Sequence, residues 1–75
     1  MLIRTQDRKR IVNFNNLVSI SCLEMAVYAE IDNGTGFFKL GEYKSHERAM
    51  EILDILWVTA VSKSMMPLTM MLPEE

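Results

Sequence analysis

Apolar and polar residues alternate along the first half of the chain with the two-residue period of β-strands. The alternation is clearest over residues 17–22, where Val18, Ile20 and Cys22 fall on one face and the two serines on the other. It resumes over residues 25–31, with small and branched apolar side chains on one face and polar ones opposite. Both stretches are therefore predicted to be strands with one buried face.

Turn-forming residues divide these stretches from one another. Two asparagines at residues 15–16 tolerate left-handed backbone angles, and the asparagine-glycine pair within residues 32–36 is favoured by tight hairpins. The reversal between the two alternating stretches is predicted at residues 23–24, although neither residue is a strong turn former. Residues 1–44 are accordingly predicted to form an antiparallel meander of four to five strands.

The last strand of the meander follows the asparagine-glycine turn. Its alternation places Phe38 and Leu40 on one face and Phe37, Lys39 and Tyr43 on the other.

A helix is predicted over residues 45–63. Ser45 suits the N-cap, where its hydroxyl can accept a backbone N–H, and Glu47 in the first turn suits the helix dipole. Apolar residues at helical spacing define the face that covers the sheet: Ala49, Ile52, Leu53, Leu56 and Ala60. A second apolar strip lies beside this face and consists of Met50, Trp57 and Val61. So wide an apolar arc predicts contact with more than one surface.

The tail, residues 64–75, is predicted to be extended. It contains four of the seven methionines, and its apolar run lies between Pro67 and Pro73. Methionine is unbranched and polarisable, and it serves both irregular cores and adaptable interfaces. Two interpretations are therefore open: the tail covers the protein's own core, or it adds to a neighbouring chain along a sheet edge.

Charge is unevenly distributed, although the formal net charge is only −2. Half of the eight basic residues lie within the first ten positions: Arg4, Arg8, Lys9 and Arg10. This basic turn is a candidate nucleic-acid contact, but no aromatic residue is interleaved with it to stack on bases. A solvated loop is the favoured interpretation, in which case replacing these charges should change the stability by less than about 0.5 kcal/mol.

Residues that could support catalysis are few. Cys22 and His46 are the only cysteine and histidine, and they could form a nucleophilic pair if the fold joins them. Cys22 lies on an apolar strand face, so a buried, inert thiol is the favoured interpretation. A zinc site needs three or four ligands, and Cys22 and His46 supply only two. The glycines of residues 32–36 lie in a hairpin turn rather than in a loop that could bind phosphate. The chain is therefore expected to be non-enzymatic, with no metal and no cofactor.

The single cysteine also bears on location. It permits no intrachain disulfide, which favours a reducing compartment. The basic residues interrupt any N-terminal signal sequence, and no apolar run approaches the ~20 residues that span a bilayer. A cytoplasmic location without membrane insertion is expected.

Two segments carry a resemblance to known proteins. They read MLIRTQDRKRIVNFNNLVSI at residues 1–20 and LGEYKSHERAMEILDIL at residues 40–56. With the final PEE, they resemble short bacterial proteins of unknown function, many of them associated with phage or prophage. The sequence departs from these proteins at residue 72, where leucine stands in place of methionine. The matching residues mark a turn and a helix cap, so no catalytic residue is carried over, and the resemblance implies only a phage-derived origin. A meander followed by a helix is also similar to pleckstrin-homology-like half-barrels, as a fold analogy only.

The pattern as a whole predicts a single α+β domain over residues 1–75. An apolar content of 49% is generous for 75 residues, and so small a core is near the limit of independent stability. A non-enzymatic interaction or structural module that self-associates, most simply as a dimer, is therefore the leading hypothesis. The alternative is a small nucleic-acid-associated regulator that uses the basic turn, and a thiol enzyme is third. The candidate interface consists of Met50, Trp57, Val61, Met65, Met66, Leu68, Met70, Met71 and Leu72.

Overall fold

The computed structural model describes residues 1–31, 36–61 and 69–75. Within them the chain forms six strands and one α-helix, which confirms the α+β class. The elements are β1 (Leu2–Arg4), β2 (Ile11–Asn13), β3 (Leu17–Leu23), β4 (Ala26–Ile31), β5 (Gly36–Glu42), α1 (His46–Val61) and β6 (Thr69–Met71), with a 3₁₀ turn at Phe14–Asn16 between β2 and β3.

The described strands form two three-stranded sheets, instead of the single sheet of four to five strands expected from the alternation. The first has the order β2-β1-β6 and the second the order β3-β4-β5. The 3₁₀ turn separates them: Asn13 accepts the Asn15 N–H at 3.0 Å, and this cap turns the chain out of the first sheet before β3 begins. The pleckstrin-homology-like half-barrel is not confirmed by these two sheets.

The tail supplies the strand that the alternation did not predict. β6 pairs in parallel with β1, with Ile3 opposite Met70, whereas β1 and β2 are antiparallel. The first part of the predicted tail, residues 64–68, lies outside the described residues.

Two register shifts change the faces that simple alternation predicts. In β3 the shift between Leu17 and Ser19 leaves Val18 59% exposed, so Val18 does not share the inner face with Ile20 and Cys22. Leu17 packs against the core instead. A β-bulge adds one residue to one strand, and every side chain beyond it changes face relative to the partner.

The second shift lies in β5, where Val27 pairs with Gly41 but Tyr28 pairs with Lys39. Leu40 is therefore the extra residue, and it is buried. Tyr43 is buried rather than exposed on the face of Phe37 and Lys39, because the extra residue reverses the phase of the chain that follows.

The turns and the helix start agree closely with the sequence pattern. The β3–β4 hairpin has a two-residue loop, Glu24-Met25, because Leu23 pairs with Ala26; this is one residue beyond the predicted reversal. Glu24 has φ 57°, the positive angle that the favoured two-residue hairpin turns need at their first central residue. At the helix start, Ser45 Oγ accepts the Arg48 N–H at 3.1 Å, which confirms the predicted N-cap.

The core lies between the two sheets and α1. Its largest fully buried side chains come from both sheets, the helix and the end of the tail: Ile3, Val27, Leu40, Ile52 and Leu72.

Gly41 is expected to be intolerant of any side chain. A Cβ there would lie 2.9 Å from Tyr43 Oη and 3.0 Å from Gln6 Cβ, whereas a Cβ at Gly36 would meet no atom within 4 Å among the described residues beyond its chain neighbours. We expect Gly41→Ala to lower the free energy of unfolding by about 1–3 kcal/mol through overpacking. Gly36→Ala should leave it unchanged or raise it by roughly 0.4–1 kcal/mol. Urea denaturation of both variants checks this, and equal effects would contradict the packing described here.

Candidate interaction surface

The end of the tail is bound to the body of the same chain. After β6, the Leu72 N–H donates to Arg4 O at 3.1 Å, and the Leu72 side chain is 0% exposed. Leu72 therefore fills the protein's own core and is not available to a second chain, which corrects its place in the predicted interface.

Two side chains, those of Arg8 and Tyr43, bind the chain at residues 72–74. Arg8 Nη1 donates to Leu72 O at 2.7 Å, and Arg8 Nη2 lies 3.6 Å from the Glu74 carboxylate. Tyr43 Oη donates to Pro73 O at 3.0 Å. Burial raises the pKa of Tyr43, although the charges of Arg48 and Arg8 act in the opposite direction. The hydroxyl therefore remains protonated, and so remains a donor, beyond the usual titration range of tyrosine.

Two further side chains hold the final residues. Gln6 Nε2 donates to Glu74 O at 2.7 Å and to Glu42 O at 2.6 Å, while Gln6 Oε1 accepts the Glu42 N–H at 2.8 Å. Arg48 donates to Glu75 O from Nη2 at 2.7 Å and from Nε at 3.1 Å. Each main-chain oxygen of residues 72–75 thus has its own side-chain donor. We call Gln6, Arg8, Tyr43 and Arg48 the C-terminal clamp.

The clamp decides between the two interpretations of the tail for the residues that the structure describes. Residues 69–75 pack in cis: Met70 is half-buried against the core, and Met71 is 58% exposed on the outer face of the first sheet. The remaining tail candidates, Met65, Met66 and Leu68, lie outside the described residues.

The basic turn is largely engaged within the chain. Arg4 donates to Arg8 O from Nη2 at 3.0 Å, Arg8 belongs to the clamp, and the Arg10 guanidinium lies 4.7 Å from the centre of the Phe38 ring. Lys9 is exposed. The expectation that these charges are uniformly dispensable therefore needs correction, since Arg8 links the turn to the tail.

Local polar contacts shape the turn itself. Thr5 is buried and donates to the Asp7 carboxylate at 2.7 Å, and the Lys9 N–H donates to the same oxygen at 2.9 Å. The hydrogen bond from Lys9, followed by that from Thr5, lowers the pKa of Asp7. These contacts fix the loop that presents Arg8, whose φ is 67°.

The structure brings Cys22 and His46 together. Cys22 is half-buried, and its Sγ lies 3.8 Å from His46 Nδ1. However, Nδ1 also lies 2.6 Å from Glu24 O, and a carbonyl oxygen can only accept, so Nδ1 must carry the proton. It therefore cannot act as a base toward the thiol in this arrangement. The contact joins α1 to the hairpin loop, and no group of three or more potential metal ligands occurs among the described residues.

The helix presents its second apolar strip to solvent. Met50, Trp57 and Val61 are all exposed, and Trp57 is 67% exposed. Beside them lies an open, mainly apolar cleft of about 590 Å³ between α1 and β3. Its walls are formed chiefly by Leu17, Val18, Ile20, Leu53, Trp57 and Ala60. The strip was predicted from helical spacing, whereas the wall from β3 was missed because it depends on the bulge at Val18.

The two edges of the second sheet differ. At β5, the Gln6 N–H donates to Leu40 O at 2.9 Å and the Gln6 side chain covers the main chain of Glu42. At β3, the only strand partner within the described part of the chain is β4. We call the other side of β3, unpaired among the described residues, the open edge. It adjoins the apolar strip of α1, because Trp57 lines the cleft together with Val18 and Ser19.

Comparisons of the chain with protein-family models, with curated proteins and with solved structures give no match. In the described residues, no helix combines the length and the hydropathy needed to cross a membrane.

The clamp predicts that Arg8 contributes to the stability of the protein, whereas Lys9 in the same loop does not. Arg8→Met should lower the free energy of unfolding by about 1–2 kcal/mol, because it removes a charged hydrogen bond to a main-chain oxygen. Lys9→Met, a matched substitution in the same loop, should change it by less than about 0.5 kcal/mol. Thermal denaturation followed by circular dichroism compares the two. If Arg8→Met is as mild as Lys9→Met, the clamp does not stabilise the tail.

Proposed function

We propose that this protein is a non-enzymatic interaction module that self-associates, most simply as a homodimer, through the apolar strip of α1. The exposure of Trp57 carries the proposal. A phage-derived origin and a cytoplasmic setting, as the sequence suggests, are compatible with such a role.

The size of the exposed strip supports the proposal. Tryptophan is among the residues most enriched at the energetic centres of interfaces. A buried aromatic side chain removes about 150–250 Å² from water, so the exposed two thirds of Trp57 offer on the order of 100–170 Å². A specific interface needs about 800 Å² per partner. Trp57 would contribute up to a fifth of that area, and Met50 and Val61 extend it along the same side of the helix.

The packing of the tail within its own chain also supports the proposal. Because Met70 and Leu72 are used inside the chain, the tail beyond residue 68 offers little apolar surface except Met71. Self-association is therefore assigned to the helix strip rather than to these tail residues.

A nucleic-acid role for the basic turn has weaker support. Phosphate binding needs several cations directed toward one backbone. Arg4, Arg8 and Arg10 each contact a group of the same chain. Those contacts would have to be replaced before the guanidinium groups could bind phosphate.

Self-association through Trp57 is tested by a charge placed on the strip. Trp57→Glu should shift the full-length protein from dimer to monomer in sedimentation velocity at concentrations up to hundreds of micromolar, because it buries an unpaired carboxylate in any such interface. Phe37→Ser is the matched control, since Phe37 is 64% exposed on β5, away from the helix. It should leave the sedimentation coefficient unchanged. A wild-type protein that remains monomeric throughout this range contradicts the proposal.

A further inference from the structure

We infer that the partner is a second copy of this chain whose β3 pairs antiparallel with β3 of the first, in a register centred on Ser21. The two second sheets would then form one six-stranded sheet with both helices on the same face. This inference rests on the proposed function and specifies the geometry by which the two copies meet.

The hairpin loop fixes which backbone groups of β3 face the open edge. A two-residue loop closes on a hydrogen-bonded pair, here Leu23 and Ala26, and hydrogen-bonded pairs then alternate along an antiparallel ladder. Ser21 and Tyr28 form the next such pair. Ser19 and Glu30 form the pair after that. The N–H and C=O groups of Ile20 and Cys22, which lie between these hydrogen-bonded residues of β3, are therefore directed away from β4 toward the open edge.

One pairing register between two copies satisfies the edge-facing backbone groups of both Ile20 and Cys22. Antiparallel pairing of two identical strands requires a two-fold axis, and an axis at Ser21 places Ile20 of each copy opposite Cys22 of the other. These are the residues whose backbone groups face the edge, so all four groups of each copy find partners. The pairing extends over residues 19–23, between the bulge at Val18 and the loop at Glu24. An axis at Ile20 or at Cys22 would run the pairing into the bulge or the loop.

Side-chain chemistry favours this self-pairing. Residues 17–23 include no charged residue and no proline, the features that usually protect an exposed edge strand. Like charges directly opposite one another would destabilise an isologous pair, and this strand has none to oppose. Ser21 would face its own counterpart, while the half-buried Ile20 and Cys22 would meet on the face that α1 covers.

The helix strips lie where such a sheet would bring them together. α1 runs antiparallel to β3, because His46 contacts Cys22 and Trp57 lines the cleft with Leu17. With a two-fold axis perpendicular to the joined sheet, the two helices lie side by side on one face. The two Met50 side chains then lie nearest to the axis, and each Trp57 is directed toward the hairpin loop of the other copy.

Disulfide trapping tests the register directly. Ser21 and its counterpart would form a non-hydrogen-bonded pair, with Cα atoms about 4.5 Å apart, within the range that a disulfide bridges. In a Cys22→Ala background, Ser21→Cys should form a covalent dimer under mild oxidation. It should do so on the order of a hundredfold faster than Phe37→Cys, because a complex holds the thiols at millimolar effective concentration. Ser19→Cys and Leu23→Cys should each remain monomeric alone but cross-link when mixed, and 6 M urea should abolish these differences.

The outcomes separate this inference from the proposed function. Rapid cross-linking at Ser21→Cys, with the mixed Ser19→Cys and Leu23→Cys pair, supports it. Rapid cross-linking of the unaltered protein through Cys22 would overturn the register, since Cys22 would then face itself. If no β3 cysteine cross-links faster than Phe37→Cys while Trp57→Glu still disrupts a dimer, the edge pairing is wrong and self-association through the helix stands. A wild-type monomer at every concentration overturns both.

Discussion

The main-chain oxygens of residues 72–75 are each held by a side chain from the body of the chain, and the rest of the structure depends on that clamp. Gln6 and Arg8 come from the loop between β1 and β2, whereas Tyr43 and Arg48 flank the start of α1. The hydrogen bonds to Leu72 O and Pro73 O are partly buried, whereas those to Glu74 O and Glu75 O are exposed, so the first two contribute more to the stability. By supplying these hydrogen bonds, the clamp allows Leu72 to enter the core and β6 to extend the first sheet. Gln6 also binds Glu42, so one side chain ties the tail and both sheets together.

This arrangement determines which surfaces remain for other molecules. The tail is rich in methionine, as adaptable interfaces often are, yet Met70 and Leu72 contribute to the interior of their own chain. The guanidinium groups of Arg4, Arg8 and Arg10 in the basic turn serve internal contacts in the same way. Among the exposed apolar surfaces, the strip of α1 adjoins the open edge of β3, and the proposed self-association is built on these two features. A domain with so small a core would also gain stability from covering them.

The sequence predicted α1 well, because its start and its faces depend on residues that are close together in the chain. Ser45 marked the helix start through its hydroxyl, and helical spacing separated the buried face of α1 from the strip that contains Trp57. The bulges at Val18 and Leu40 were not predictable, since each depends on how a neighbouring strand fits rather than on the residue itself. The parallel pairing of Met70 with Ile3 joins segments almost a chain length apart, and no local signal encodes it. Gln6 was missed for the same reason: a lone glutamine in a polar loop gives no sign that its amide binds two distant strands.

The central claim is that the tail is bound in cis while the edge of β3 is left for a second copy. Amide hydrogen exchange measured across a range of protein concentrations tests both halves at once. The Leu72 N–H, bonded to Arg4 O, should be protected to the same degree at every concentration. The N–H groups of Ile20 and Cys22 should exchange quickly in dilute solution and become protected as the concentration rises. Protection of Leu72 that appears only at high concentration would contradict the account, because it would place the tail on a neighbouring chain.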